Sequence, residues 1–248
     1  MNVIIPDAIN GIDVSSAQKN LDAQKIAQAG FRFAYIQSSR YSSTRDFAFA
    51  SLLDKLRDAG LRVGAYHFCS HDSDPIAQAQ FFYKASGGLG SSPGELPPMV
   101  DWEFCTPGNY APPRYPEGHP AHCVQWLAQF NAEVNRLWFP NNEFYAVPRS
   151  CVVYSYPFYC GQHQPALEAS GVLNDVPFCY ASYGAPGYVP SCTSELPFHA
   201  LPGGVQNWTL CQYSGDKGAP VPGVQGACDR QVFRGSEAEF KLFCGEKA

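Results

Sequence analysis

Short apolar runs of strand length recur along this chain, with helical patterns between them. "NGIDVSS" (10–16), "RFAYIQSS" (32–39), "LRVGAYHF" (61–68) and "PPMVDWEF" (97–104) read as the first four strands. "CVVYSY" (151–156), "VPFCYASY" (176–183), "WTLCQYS" (208–214) and a short segment around "ACDRQVF" (227–233) follow as strands or strand ends. Helical patterns lie at 21–31, 46–60, 73–88 and 121–138, and a last one at 236–243. The first two end at Gly30 and Gly60, the residue type that most readily ends a helix. Strands alternating with helices imply a mainly parallel sheet with helices outside. Eight strands in 248 residues point to a single-domain, irregular (β/α) TIM-like barrel, with its irregularity in the second half. An open doubly wound sheet is the alternative, but no GxGxxG follows the first strand. The barrel is expected to use residues 1–248, without a separate second domain. Two Pro/Gly-rich stretches, 105–120 and 184–207, follow strands and are expected as ordered loops at the C-terminal face of the barrel.

The totals exclude some functions. Only 16% of residues are charged and the net charge is −5, with no Lys/Arg run. The electrostatic footprint of a nucleic-acid binder is missing. No stretch is apolar and long enough to span a membrane. The opening "MNVIIPDAIN" has neither a basic segment nor a long apolar run, so no signal peptide is visible. Ten Cys allow a disulfide set in an oxidising compartment, or reduced thiols used as small core residues.

The stretch "LPPMVDWEF" (96–104) carries the chemistry. Strand side chains alternate faces, so Asp101 and Glu103 point the same way with Cα atoms about 6.5–7 Å apart. Buried carboxylates are costly unless paired or used. Asp13 ends the first strand, and Asp229 accompanies the last, which must close against the first in a complete barrel. Four acids at one mouth repel one another, which raises at least one pKa. A protonated carboxylic acid beside ionised ones is the equipment of glycosidic cleavage. The same acids could form an ion-paired cluster or a Mg²⁺ or Ca²⁺ site. Apart from Arg230, however, no basic residue adjoins them in the strands. We expect no metal and no cofactor.

In order, "GIDVSSAQ", "FAYIQSS", "AGLRVGAYHF", "PPMVDWEF", "VVYSY", "CYASYG", "CQYSG" and "VPGVQGACDRQVF" resemble glycoside hydrolase family 25, the Chalaropsis-type lysozymes or N-acetylmuramidases. The resemblance runs from Gly11 to about Phe243. It implies an irregular α/β barrel that hydrolyses the β-1,4 bond between N-acetylmuramic acid and N-acetylglucosamine in bacterial peptidoglycan. It implies Glu103 as acid/base, Asp101 as its assisting carboxylate, and Asp13 and Asp229 as the acids that complete the site. Tyr66, Tyr154, Tyr183 and Gln212 stand in motifs that line the family's cleft, where sugar contact and plain packing are both open to them. His67 reads as a hydrogen-bonded structural histidine. The DxE strand resembles enzymes that use the substrate's N-acetyl oxygen as nucleophile; inversion is the competing scheme. A chitin-type substrate and a non-catalytic glycan-binding barrel are the alternative functions. The partner implied is the glycan strand, met outside the cytoplasm by a monomer that is secreted, effector-delivered or phage-released.

The chain also departs from the family pattern. Cys179 and Cys211 stand where Trp is usual, and "IQSSR" replaces the common "IKATEG" on one side of the groove. If their strands are neighbours, Cys179 and Cys211 are a candidate disulfide. Cys69 with Cys105, just past two strand ends, are another.

Overall fold

The fold is that of a computed structural model, which describes residues 3–104, 119–145, 147–215, 218 and 220–247. The strands are β1 (Ile9–Val14), β2 (Phe31–Arg40), β3 (Thr44–Arg45), β4 (Arg62–Phe68), β5 (Met99–Asp101), β6 (Val152–Ser155), β7 (Phe178–Ala181), β8 (Leu210–Ser214) and β9 (Asp229–Phe233). The helices are α1 (Ala23–Gln28), α2 (Phe49–Asp58), α3 (Pro75–Ser86), α4 (His119–Trp138), α5 (Pro157–Ser170) and α6 (Glu237–Phe243). Neighbours around the sheet run β1-β9-β8-β7-β6-β5-β4-β2, and β1 also pairs with β2, which closes an eight-stranded barrel; β3 is a hairpin extension of β2. Closure rules out the open doubly wound sheet.

Two layers of apolar side chains hold the barrel. Inside, Ile9, Phe33, Tyr35, Met99, Val152, Cys179, Leu210 and Phe233 fill the bore, and Phe240 and Phe243 of α6 plug its lower end. Outside, the opposite faces of β1, β2 and β4–β7 pack on the helices, with Leu52, Phe82, Phe130 and Trp138 among the buried contacts. No helix covers β8 and β9 among the described residues. Instead Leu196 and Phe198, from the 184–207 stretch, pack with Ile5, Trp208, Cys211, Tyr213 and Val232 on that face. This stretch is therefore divided: residues 184–187 border the mouth, and the rest serves as outer wall. The other proposed loop lies outside the described residues for 105–118.

The expected irregularity of the second half has a definite form. β9 runs antiparallel to both β8 and β1. The sequence reading also passed over α5, whose buried face is Tyr159, Cys160, His163 and Leu167 rather than an aliphatic stripe, with Pro165 inside the helix.

Gly11 shows how tightly the bore is filled. A Cβ there would lie 2.2 Å from the Phe33 ring, an atom that cannot move aside in a closed barrel. Gly11→Ala is therefore expected to destabilise the fold by about 1–3 kcal/mol, read as a fall in Tm of several degrees. An unchanged Tm would show that the bore is looser than this packing.

Candidate active site

Strand alternation and register assemble the site. Val100 and Trp102 face the helices, where Trp102 is buried with its ring edge-on to Tyr159 at 4.7 Å. Met99, Asp101 and Glu103 take the other face and line a cavity of about 110 Å³. Asp13, Asp229, Tyr66, Tyr154, Gln212 and Gln231 line the same cavity. All four predicted acids thus meet, with Tyr66, Tyr154 and Gln212 beside them. Tyr183 is 44% exposed and lies in the adjoining pocket of about 540 Å³, which also touches Glu103, Tyr154 and Asp229. The two spaces share those three residues and form a continuous open groove.

The antiparallel direction of β9 is what brings Asp229 here. It pairs directly with Asp13 across the β1–β9 ladder. Like charges placed directly opposite on a sheet destabilise it unless donors compensate. For Asp13 they do: Gln212 Nε2 and Gln231 Nε2 both donate to its Oδ2, each at 2.7 Å. Gln212 is itself oriented, because Tyr154 OH donates to its Oε1 at 3.0 Å and Tyr183 OH donates to the same atom. With its oxygen occupied by phenols, Gln212 must present NH₂ to Asp13, which favours the carboxylate form. Gln212 is buried and committed to this relay. Gln231 escaped the sequence reading. Its signal is parity: two residues after Asp229 on one strand, it must share that face.

Asp101 and Glu103 receive no such help. Asp101 Oδ1 is buried and lacks a hydrogen-bond partner. Burial, then the charges of Glu103, Asp13 and Asp229, push the Asp101 carboxyl well above the usual range. Burial first and the Asp13 charge second raise Glu103 to about 7. The pair therefore keeps a proton near neutrality, beside the negative charge of Asp13. The cavity offers a proton donor, an orphan acceptor and a fixed negative charge within one space.

His67 faces away from the cavity. Its ring stacks between Phe82 and Phe130, Nδ1 lies 2.9 Å from Ser39 Oγ and Nε2 lies 3.2 Å from Gln78 Oε1. Burial lowers its pKa to about 4, so it is neutral in the working range.

The proposed Cys179–Cys211 disulfide is absent; both are free thiols. Their strands are indeed neighbours, but register defeats the bond. Cys179 pairs with Leu210 and Tyr180 with Cys211, so the two sulfurs sit on opposite faces of the sheet. Cys179 lies inside the bore and Cys211 in the outer wall. Neither lines the groove. The Cys69–Cys105 suggestion falls outside the described residues, since it involves Cys105.

Comparison with known proteins agrees with this geometry. The family model described as Glycosyl hydrolases family 25 matches residues 12–221. Lysozyme M1 of Streptomyces globisporus is 28% identical over 246 residues, spanning 97% of this chain and 72% of that protein. The crystal structure of a bacterial lysozyme from Streptomyces coelicolor superposes with a TM-score of 0.75 at 26% identity, covering 98% of this chain and 100% of the other. The structure of a family GH25 lysozyme from Aspergillus fumigatus has the same fold, with a TM-score of 0.71 at 22% identity over 96% of this chain and 99% of the other.

Proposed function

Since the chain belongs to glycosyl hydrolase family 25 and is a glycoside hydrolase of lysozyme type, we propose that its groove cleaves the β-1,4 bond between N-acetylmuramic acid and N-acetylglucosamine in peptidoglycan, with retention assisted by the substrate's N-acetyl group. The observation that carries this reading is the convergence of Asp13, Asp101, Glu103 and Asp229 on one open cavity, with the Glu103 carboxyl raised to about 7.

Protonated Glu103 gives its proton to the departing glycosidic oxygen. The N-acetyl oxygen of the sugar on the other side attacks C1 from the opposite face and closes a five-membered oxazolinium ring. Positive charge then develops at the acetamido nitrogen, and Asp101 Oδ1, which has no partner in the protein, accepts that N–H. Glu103, now a carboxylate, takes a proton from water as the water opens the ring at C1. Two displacements at one carbon return the β configuration. Asp13 supplies a negative field, which holds the Glu103 proton and stabilises the cationic ring. Tyr66 and Tyr154 border the space the sugar would fill. The enzyme acts as a monomer on glycan strands outside the cytoplasm. No helix among the described residues is long and apolar enough to cross a membrane.

The test is hydrolysis of purified peptidoglycan followed by NMR of the first-formed anomer. New reducing ends on muramic acid, initially β, are expected. Reducing ends on glucosamine would reject the bond assignment, and immediate release of the α-anomer would reject assistance by the N-acetyl group.

A further inference from the structure

Gln231 is buried in the wall of the cavity, yet the cleavage steps give it no part. It stands opposite Gly11 on β1 and opposite Gln212 on β8. Asp13 lies two residues along β1, a diagonal neighbour within reach of a long side chain. Gln231 Nε2 donates to Asp13 Oδ2 at 2.7 Å, the same atom that Gln212 Nε2 reaches at 2.7 Å. Two amides from two strands therefore close on one oxygen.

That bond leaves the other half of the Gln231 amide unsatisfied. Its Oε1 is buried and has no hydrogen-bond partner. A buried acceptor without a donor is unfavourable, and native structures keep few of them. Turning the amide over gives no relief, because Oε1 would then face the Asp13 oxygen, acceptor against acceptor. A side chain kept only for packing needs no amide here, since Met fills a similar volume without the orphan oxygen. Donors are scarce around Asp13. Asp229 pairs directly with it from β9, and Asp101 and Glu103 share its cavity. Tyr66, Tyr154, Tyr183, Cys179 and Cys228 also feel the Asp13 charge. Arg230 takes the opposite face of β9, where it donates to Val3 O and Ser214 Oγ. No Lys, Arg or His is among the described residues that line the cavity.

We propose that Gln231 is a positioning residue of the hydrolysis: with Gln212 it fixes the Asp13 carboxylate where its charge opposes that of the oxazolinium ring, so that its N–H serves turnover and not the fold alone. The inference rests on the lysozyme reading above. With one donor removed, the Asp13 carboxylate can rotate away from the cavity or take up a proton, and either change weakens the field at the ring. The ring's positive charge develops only after the substrate is bound, so the loss falls on kcat rather than on KM. A hydrogen bond to a charged group of this kind is worth about ten- to a hundredfold in rate.

The experiment measures kcat and KM on purified peptidoglycan for Gln231→Met and Gln231→Glu, each relative to the wild type at the same pH, with Tm recorded alongside. Gln231→Met fills the space without a donor and should lose about ten- to a hundredfold in kcat at every pH from about 5 to 8, with KM nearly unchanged. Gln231→Glu has a donor only while its new carboxyl is protonated, a state that burial among other acids extends above the usual carboxylate range. Its kcat should stay within about threefold of the wild type at the acid end and fall about tenfold or more towards the alkaline end, reversibly in one preparation. A Gln231→Met enzyme with wild-type kcat and a lowered Tm would reduce the clamp to a structural one and overturn the proposal. So would a Gln231→Glu enzyme whose kcat relative to the wild type is the same at every pH, a comparison that stands even where Gln231→Met fails to fold. A wild type that releases no reducing ends from peptidoglycan would refute the lysozyme reading, and this inference with it.

Discussion

Glu103→Gln is expected to lower kcat on purified peptidoglycan by about two to four orders of magnitude, with KM nearly unchanged. The amide keeps the size of the side chain but has no proton to give to the leaving oxygen. For the wild type, the fraction holding that proton falls as pH rises through about 7, so the alkaline limb of kcat should have its midpoint near that value. The variant should lack this limb. Stability should respond in the opposite sense to activity. A carboxyl whose pKa is raised from 4.5 to about 7 on folding contributes fully below its unfolded pKa, and that contribution is lost as pH climbs through the folded value. Glu103→Gln has no such loss. It should therefore melt above the wild type at pH 8, by an amount equivalent to at most about 3 kcal/mol, and the gap should close towards pH 4.5. Undiminished turnover would remove Glu103 from the acid role. Matching melting curves at pH 8 would show that its ionisation costs the fold nothing.

The parts of this site that a reader of the sequence can find are those fixed by parity and by chain order. Alternation alone places Asp101 and Glu103 on one face and Trp102 on the other, and the cavity lining agrees. Apart from the short β3, strand and helix positions from β1 to β6 follow the apolar periodicities within a few residues. Where the reading stopped, the missing quantity is identifiable. Apolar alternation carries no direction, so "ACDRQVF" gave a strand but not its antiparallel sense. Yet Asp229 reaches the mouth because it begins an antiparallel strand; at the start of a parallel one it would lie at the barrel's lower end. Register is equally invisible. Cys179 and Cys211 occupy adjacent strands as anticipated, but a one-residue offset in pairing sends their sulfurs to opposite faces. α5 was missed because Tyr, Cys and His supply its buried face, a set that hydrophobic periodicity weighs lightly. The Gln212–Gln231 clamp on Asp13 joins residues from three strands, and only their positions in space reveal it.

Asp101→Asn should cost about two to three orders of magnitude in kcat, and it separates assistance by the N-acetyl group from simple acid catalysis. Oδ1 of Asp101 is buried and unpartnered. A buried acceptor left without a donor costs about 1–3 kcal/mol, so the site gains when a ligand N–H arrives there. That gain is largest when the nitrogen is most positive, which is at the oxazolinium stage rather than in the resting sugar. The interaction thus belongs to the transition state and lowers the barrier instead of merely tightening binding. Asparagine can still offer a carbonyl oxygen, but a neutral one, so the hydrogen bond survives while its charge assistance does not. KM should change little. A thiazoline analogue of the cyclised N-acetyl group supplies a second readout independent of turnover: the wild type should bind it at least about a hundredfold more tightly than the parent sugar, and Asp101→Asn should lose most of that preference. If the variant binds analogue and parent in the wild-type ratio, Asp101 does not touch the nitrogen. Inversion, with another carboxylate activating water, then becomes the scheme the four acids must serve.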